Sequence, residues 1–149
     1  PKYLNTRIGI NSRLDTNQAA ILIEKLAIFD EEIAMRQAVA DRYAEGLKGA
    51  VLATPKVIAG GQSVWAQYVI EHENRDGLAA HLKTQGVPTA VYYPVPMHQQ
   101  EPYAGFPQGE GGLPVTEAKA GAVLALPMHP YMDEAVQARV IVAIRAFNG

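Results

Sequence analysis

Asn11 and Arg13 stand two positions apart in an extended run, so that an amide and a guanidinium can point to the same side of the chain just ahead of a helix. That is equipment for binding. A second group lies far downstream, in Tyr92-Tyr93-Pro94-Val95-Pro96-Met97-His98, where a strand runs into a Pro-stiffened loop. The loop continues through residues 99–112 with Tyr103, Phe106 and several glycines. Loops of that length are functional lids or disordered segments, and the aromatics favour a lid. Catalytic patterns are missing. The glycines of 105–112 have neither dinucleotide nor Walker spacing, and no Ser occupies a nucleophile elbow. His72, His81, His98 and His129 show no metal-ligand spacing and no HExxH, and there is no cysteine, so no metal site is expected. The chain holds no self-contained catalytic centre.

The elements that must carry these residues can be read in order. Asp15 can cap a helix, Gln18 sits at the capping-box position, and apolar residues begin at Ala19. Ala19, Leu22, Ile23 and Leu26 recur at three- and four-residue steps, and Ile33, Val39, Tyr43 and Leu47 extend the stripe, which predicts one buried face. Asp30, Glu31 and Glu32 suit the positive end of a second helix dipole, so a break is expected near Phe29-Asp30, and Gly46 and Gly49 close the segment. Residues 50–61 form a connection with a short strand near 51–53. Residues 64–72 form a strand with Val64, Ala66, Tyr68 and Ile70 on one face. Asn74 caps a helix that stops at Gly86 before Pro88, and 89–93 form another strand. Thr116 caps a short helix to about Leu124, followed by a Pro-bounded extended piece over 125–131. Asp133 starts the last helix, with Val136, Val140, Ala143, Ile144 and Phe147 facing inward. Trp65 and His129 read as structural residues.

Composition narrows the partners. With 149 residues, a formal charge of -2 and no Lys/Arg block, nothing favours nucleic acid or an anionic membrane. No apolar run is long enough to span a bilayer, and the absence of cysteine suits a cytoplasmic location. The sequence opens at Pro1 with connecting chain, which suggests a start inside a longer polypeptide.

The run Ile8-Gly9-Ile10-Asn11-Ser12-Arg13-Leu14-Asp15, followed by Gln18-Ala19-Ala20-Ile21-Leu22, Lys25-Leu26, Arg36 and Tyr43, resembles nucleotide-sugar aminotransferases of the DegT/StrS type. So do Tyr93-Pro94-Val95-Pro96-Met97-His98-Gln99 and Leu113-Pro114-Val115-Thr116-Glu117 leading to Leu126-Pro127-Met128-His129-Pro130. The variant Asn11-Ser12-Arg13-Leu14-Asp15-Thr16 with Ile28-Phe29-Asp30-Glu31-Glu32-Ile33 is most similar to transaminases that aminate the 3-oxo group of UDP-linked N-acetylated sugar uronic acids for O-antigen synthesis.

The resemblance implies pyridoxal 5'-phosphate, a nucleotide-sugar substrate, an amino-acid donor such as L-glutamate and ping-pong transfer. It also implies a homodimer in which Asn11 reaches the cofactor phosphate of the other subunit. Arg13 would meet a substrate carboxylate or phosphate, with Tyr92, Tyr93 and His98 in the sugar pocket. Some relatives carry a His where Tyr92 stands. No lysine here qualifies as the Schiff-base residue, so the chain would be the C-terminal portion of the enzyme and inactive alone. The expected fold is α+β, the C-terminal small domain of the aspartate-aminotransferase fold, with a three- or four-stranded, mainly antiparallel sheet flanked by helices. Its parts would be a connecting segment over 1–14, a long broken bridging helix over 15–49 and a small domain over 50–149. Two other readings use the same residues: a stand-alone non-catalytic α/β ligand-binding or interaction module, and a dehydratase or sensor relative of the same fold.

Overall fold

The computed structural model describes residues 4–9 and 14–148. Asp15 caps the first helix as expected, its Oδ1 accepting the Gln18 amide at 2.8 Å. The helix α1 (Thr16–Leu26) ends at a two-residue turn, and α2 (Phe29–Gly46) restarts with Asp30, Glu31 and Glu32 in its first turn, where the dipole favours acids. The expected break is therefore present. The expected burial is present only in α2, where Val39, Ala40 and Tyr43 are inside and Leu47 follows them. α1 buries no residue at all, and Ile21, Leu22, Ile23 and Leu26 stay exposed, because no other described segment covers that side.

The sheet is smaller than expected. β1 (Tyr68–Glu71) pairs antiparallel with β2 (Val123–Leu126) in the register Tyr68↔Leu126 to Glu71↔Val123. Single bridges add Ala53 beside Glu71 and Ala90 beside Ala125, so the order across the sheet is Ala53, β1, β2, Ala90. Four segments meet, but the outer two contribute one residue pair each, with Pro55 and Pro88 close by to stop the ladders. The strand expected over 64–72 is cut short at Trp65, whose φ of 48° turns the chain and drives the indole into the core. Val64 and Ala66 are consequently exposed, while Tyr68 and Ile70 are buried.

Helix α3 (Arg75–Thr84) begins at Asn74, whose Oδ1 accepts the Gly77 amide at 3.0 Å. It ends in a Schellman arrangement: Gly86 at φ +73° donates to Lys83 O, and Val87 donates to Leu82 O. Helix α4 (Pro114–Ala122) starts two residues before the expected Thr116 cap, because Pro114 supplies the preset φ of a first helical position. It stops at Ala122, and 123–126 is strand rather than helix end. The buried Arg75 donates to Ala120 O at 3.3 Å and Val123 O at 3.2 Å, tying α3 to the α4–β2 junction.

Helix α5 (Glu134–Arg145) is capped by Asp133 and packs on both α2 and α3. Its expected inner residue Val136 is exposed, and Gln137 points inward instead. The Gln137 amide donates to Val39 O at 2.7 Å and accepts from Arg42 Nε at 2.6 Å, so its polar head is satisfied inside the α2–α5 contact. Gly46 lets the two helices close up, since a Cβ there would come within 2.7 Å of Ile141 Cδ1. Between these layers lies one core, built on Tyr43, Leu47, Tyr68, Ile70, Leu82 and Leu124.

Candidate functional site

Ala90 is the last residue of the 89–93 segment held to the sheet, and beyond it the chain lifts off to form the wall of a cavity of about 610 Å³. Tyr92 and Tyr93 stand on this wall with their rings 5.7 Å apart, edge to face, followed by Val95, Pro96 and Met97. The opposite wall is one face of α4, made by Val115, Thr116, Lys119 and Ala120. Asn5 and Gln100 complete the lining with Val123. The cavity is mainly apolar with a few hydrogen-bonding heads, the balance expected where a small molecule is gripped by area and oriented by polar contacts.

The loop wall is fastened at two points. Gln100 is buried, accepts the Asn5 amide at 2.9 Å and donates to Val95 O at 3.3 Å, so one side chain joins the loop to the N-terminal segment. Glu117, in the first turn of α4, takes His98 Nε2 at 2.9 Å and Gln99 Nε2 at 3.3 Å on one oxygen. The His98 bond, assisted by Gln99, holds the Glu117 carboxyl below the usual carboxylate range against the opposing effect of desolvation. Residues 97–99 and 101–103 form two short 3-10 turns in what sequence reading took as irregular lid.

Of the residues singled out by sequence, Tyr92 and Tyr93 come together in the cavity. His98 lies beside it, outside the lining, with its ring engaged by Glu117. Asn11 and Arg13 fall outside the described residues. Gln100 has no site role in the sequence reading, Lys119 enters it only as one of the lysines unsuited to a Schiff base, and Glu117 only within the 113–117 motif. No local pattern marks them, because their partners are 95, 48 and 19 residues away.

Lys119 is the one charged side chain among the described lining residues, and its ammonium is 2.5 and 2.6 Å from the two Glu71 carboxylate oxygens. Lys25 and Lys48 are likewise ion-paired, to Glu32 and Glu45, and Lys56 and Lys83 are exposed and do not line the cavity. Among the described residues, therefore, no lysine is poised as an amine for a carbonyl, and the one cation lining the cavity, Lys119, is committed to Glu71. Nor is any group of three or more His, Asp or Glu among them placed to hold a metal ion. No described helix is long and apolar enough to cross a membrane.

Comparison with known proteins agrees with the motifs. The chain is 48% identical over 134 residues to the UDP-2-acetamido-2-deoxy-3-oxo-D-glucuronate aminotransferase of Pseudomonas aeruginosa, a match covering 90% of the chain and 36% of that relative. It is 42% identical over 150 residues to a pleiotropic regulatory protein of Geobacillus stearothermophilus, covering 99% of the chain and 40% of the relative. The crystal structure of a DegT DnrJ EryC1 StrS aminotransferase from Brucella abortus superposes with a TM-score of 0.87 at 52% identity, over 99% of this chain and 39% of that one. The chain thus spans about two-fifths of the length of these relatives. Residues 1–145 match a single family over nearly the whole sequence, and the chain belongs to the DegT/DnrJ/EryC1/StrS aminotransferase family.

Proposed function

We propose that the full-length protein is a pyridoxal-phosphate-dependent nucleotide-sugar aminotransferase and that this chain is its C-terminal small domain, of the aspartate-aminotransferase fold. The substrate would be an oxo-sugar nucleotide such as a UDP-3-oxo-N-acetyl sugar uronate, with L-glutamate as donor, in O-antigen synthesis in the cytoplasm. The observation that carries this reading is the 48% identity to an enzyme named for that substrate, over 90% of the chain. The cofactor and its lysine would lie outside the described residues, whose lysines are ion-paired or take no part in the cavity lining.

Within this reading the chain's own residues bind and orient the sugar nucleotide. Tyr92 and Tyr93 offer ring faces and hydroxyls to it, and α4 closes the opposite side. His98 and Gln99, held by Glu117, keep the tyrosine loop at a fixed distance from α4. Arg13 takes the uronate carboxylate or a phosphate, and Asn11 serves the cofactor phosphate of the second copy in a homodimer. The exposed aliphatic face of α1 supports such an assembly, since four large apolar side chains in one helix are costly to leave in water.

The test is borohydride reduction of the full-length protein with pyridoxal phosphate, followed by peptide mapping, with this 149-residue chain as control. A single reduced adduct on a lysine outside the chain is expected, together with 2-oxoglutarate release from L-glutamate when the 3-oxo sugar nucleotide is supplied. No adduct on either protein would overturn the proposal. That outcome would favour a regulatory role, as the name of the Geobacillus relative suggests, or the non-catalytic module.

A further inference from the structure

The cavity wall formed by α4 carries one cation, and that cation is already balanced. Lys119 lines the cavity beside Val115, Thr116 and Ala120. Its ammonium donates to both carboxylate oxygens of Glu71, at 2.5 and 2.6 Å, at the end of β1. The glutamate side chain is the more covered of the two, 25% exposed against 51% for the lysine. An ammonium has three N–H donors, so two bonds to Glu71 leave one for a ligand. The other charged side chain of α4 is Glu117, again an acid, engaged by His98 and Gln99. No arginine and no second lysine lines the cavity among the described residues. The described lining therefore offers hydrogen-bonding heads without net positive charge. That suits a hydroxyl or amide oxygen better than a carboxylate or phosphate, because an anion approaching Lys119 meets the Glu71 charge beside it.

We propose that the Glu71–Lys119 pair sets the charge specificity of this cavity. Glu71 cancels the one positive charge of the described lining, so the α4 wall takes an uncharged, hydrogen-bonding face of the sugar, and an acidic substituent gains nothing there. The inference rests on the proposed function, which supplies the sugar nucleotide. Lys119 makes the contact, and Glu71 acts through it as a positioning and charge-balancing residue. The pair can be altered without dismantling the fold. Half-exposed ion pairs add little stability, and the β1–β2 ladder that carries Glu71 is held by its backbone.

The test measures affinity rather than turnover. The full-length protein is titrated calorimetrically with two unreactive probes that differ in one group, UDP-N-acetylglucosamine and its carboxylate counterpart UDP-N-acetylglucosaminuronate. Glu71→Gln releases the ammonium and should raise the preference for the uronate by about three- to tenfold, the effect of one unit charge roughly 6 Å from another in surroundings close to water. Lys119→Met keeps the stem, leaves the Glu71 charge unbalanced and should lower that preference by a similar factor. The double variant should return to the wild-type ratio, and about 0.5 M salt should shrink both single shifts. A partly unfolded sample lowers both affinities alike, so the ratio reports charge and not fold. Unchanged ratios in the two single variants would overturn the proposal, and so would shifts of the same sign or a double variant that does not return. If the wild-type protein binds the probes but transfers no amino group to a 3-oxo sugar nucleotide, the function reading fails alone and the ratios still decide the charge balance. Amino transfer with unmoved ratios overturns the charge balance alone, and failure to bind either probe overturns both.

Discussion

Two buried tyrosines with contrasting partners test the packing account most directly. Tyr43 and Tyr68 are both fully buried, with ring centres 5.0 Å apart. The Tyr43 hydroxyl donates to Pro127 O at 3.0 Å and touches Met132 Sδ at 3.7 Å, which pins α2 to the segment after β2. The Tyr68 hydroxyl has no partner in hydrogen-bonding geometry among the described residues. Burial pushes its pKa up to about 12, and the nearby Thr54 hydroxyl only moderates the shift. Tyr43→Phe deletes a donor and strands a carbonyl, at a cost of about 2 kcal/mol, whereas Tyr68→Phe deletes an unpaired hydroxyl and should change stability by less than about 1 kcal/mol in either direction. A gap of about 2 kcal/mol is roughly thirtyfold in the unfolding equilibrium. Urea titration followed by the emission of Trp65 reads it cleanly, because this tryptophan is the only one in the chain and packs 5.7 Å from the Tyr68 ring. Equal losses in the two variants, or a larger loss in Tyr68→Phe, would refute the assignment of the hydrogen bond as the stabilising contact.

The remaining predictions are smaller. Burial raises both tyrosine pKa values above the ordinary 10.0. The unfolded chain then gives up these protons first, so stability is undiminished below pH 10 and falls as pH rises above it; each Tyr→Phe variant should flatten that decline in urea titrations at pH 9 to 11. Glu117 is held below its ordinary 4.5, so its grip on His98 and Gln99 contributes above that pH and is lost as pH falls through the lower folded value. Amide resonances of residues 97–100 should move in that acid range in the wild type and not in Glu117→Gln. Gly86→Ala forces a side chain into φ +73° at the Schellman turn, with no atom near enough to clash, and should cost about 1 kcal/mol in the same urea titration.

Features decided by a residue's own chemistry were legible in the sequence. Asp15, Asn74 and Asp133 cap helices because a short acceptor side chain can reach the first free amides from that one position, and all three do so here. Gly86 ends α3 because only glycine takes positive φ without strain. The break before Asp30 followed from an acidic triplet seeking a helix N-terminus. Features decided by distant partners were not legible. Val136 and Gln137 are one position apart on α5, and hydrophobicity favours Val136; the rotation is set instead by the Val39 carbonyl and Arg42 on α2, which reward the glutamine. Trp65 reads as part of a strand, yet Gln37 on α2 accepts its indole proton at 2.7 Å, and that anchor accompanies a backbone turn that ends the strand early.

The candidate site follows the same division. The tyrosine pair and the Pro-stiffened loop are recognisable from residue types in a row, so the wall of the cavity could be named from sequence. The fasteners that give the wall its shape, Gln100 and Glu117, use partners that are near only after folding. Glu32 belongs to both kinds. Its neighbours Asp30 and Glu31 stay exposed, as acids in a first helical turn should, and sequence alone ranks Glu32 with them. What separates it is Tyr131, 99 residues away, whose hydroxyl together with Lys25 compensates the carboxylate for leaving water. A charge will not bury itself for a helix dipole worth less than about 1 kcal/mol when solvent is available. Its burial therefore marks a joint where two helices and a loop are held in one arrangement.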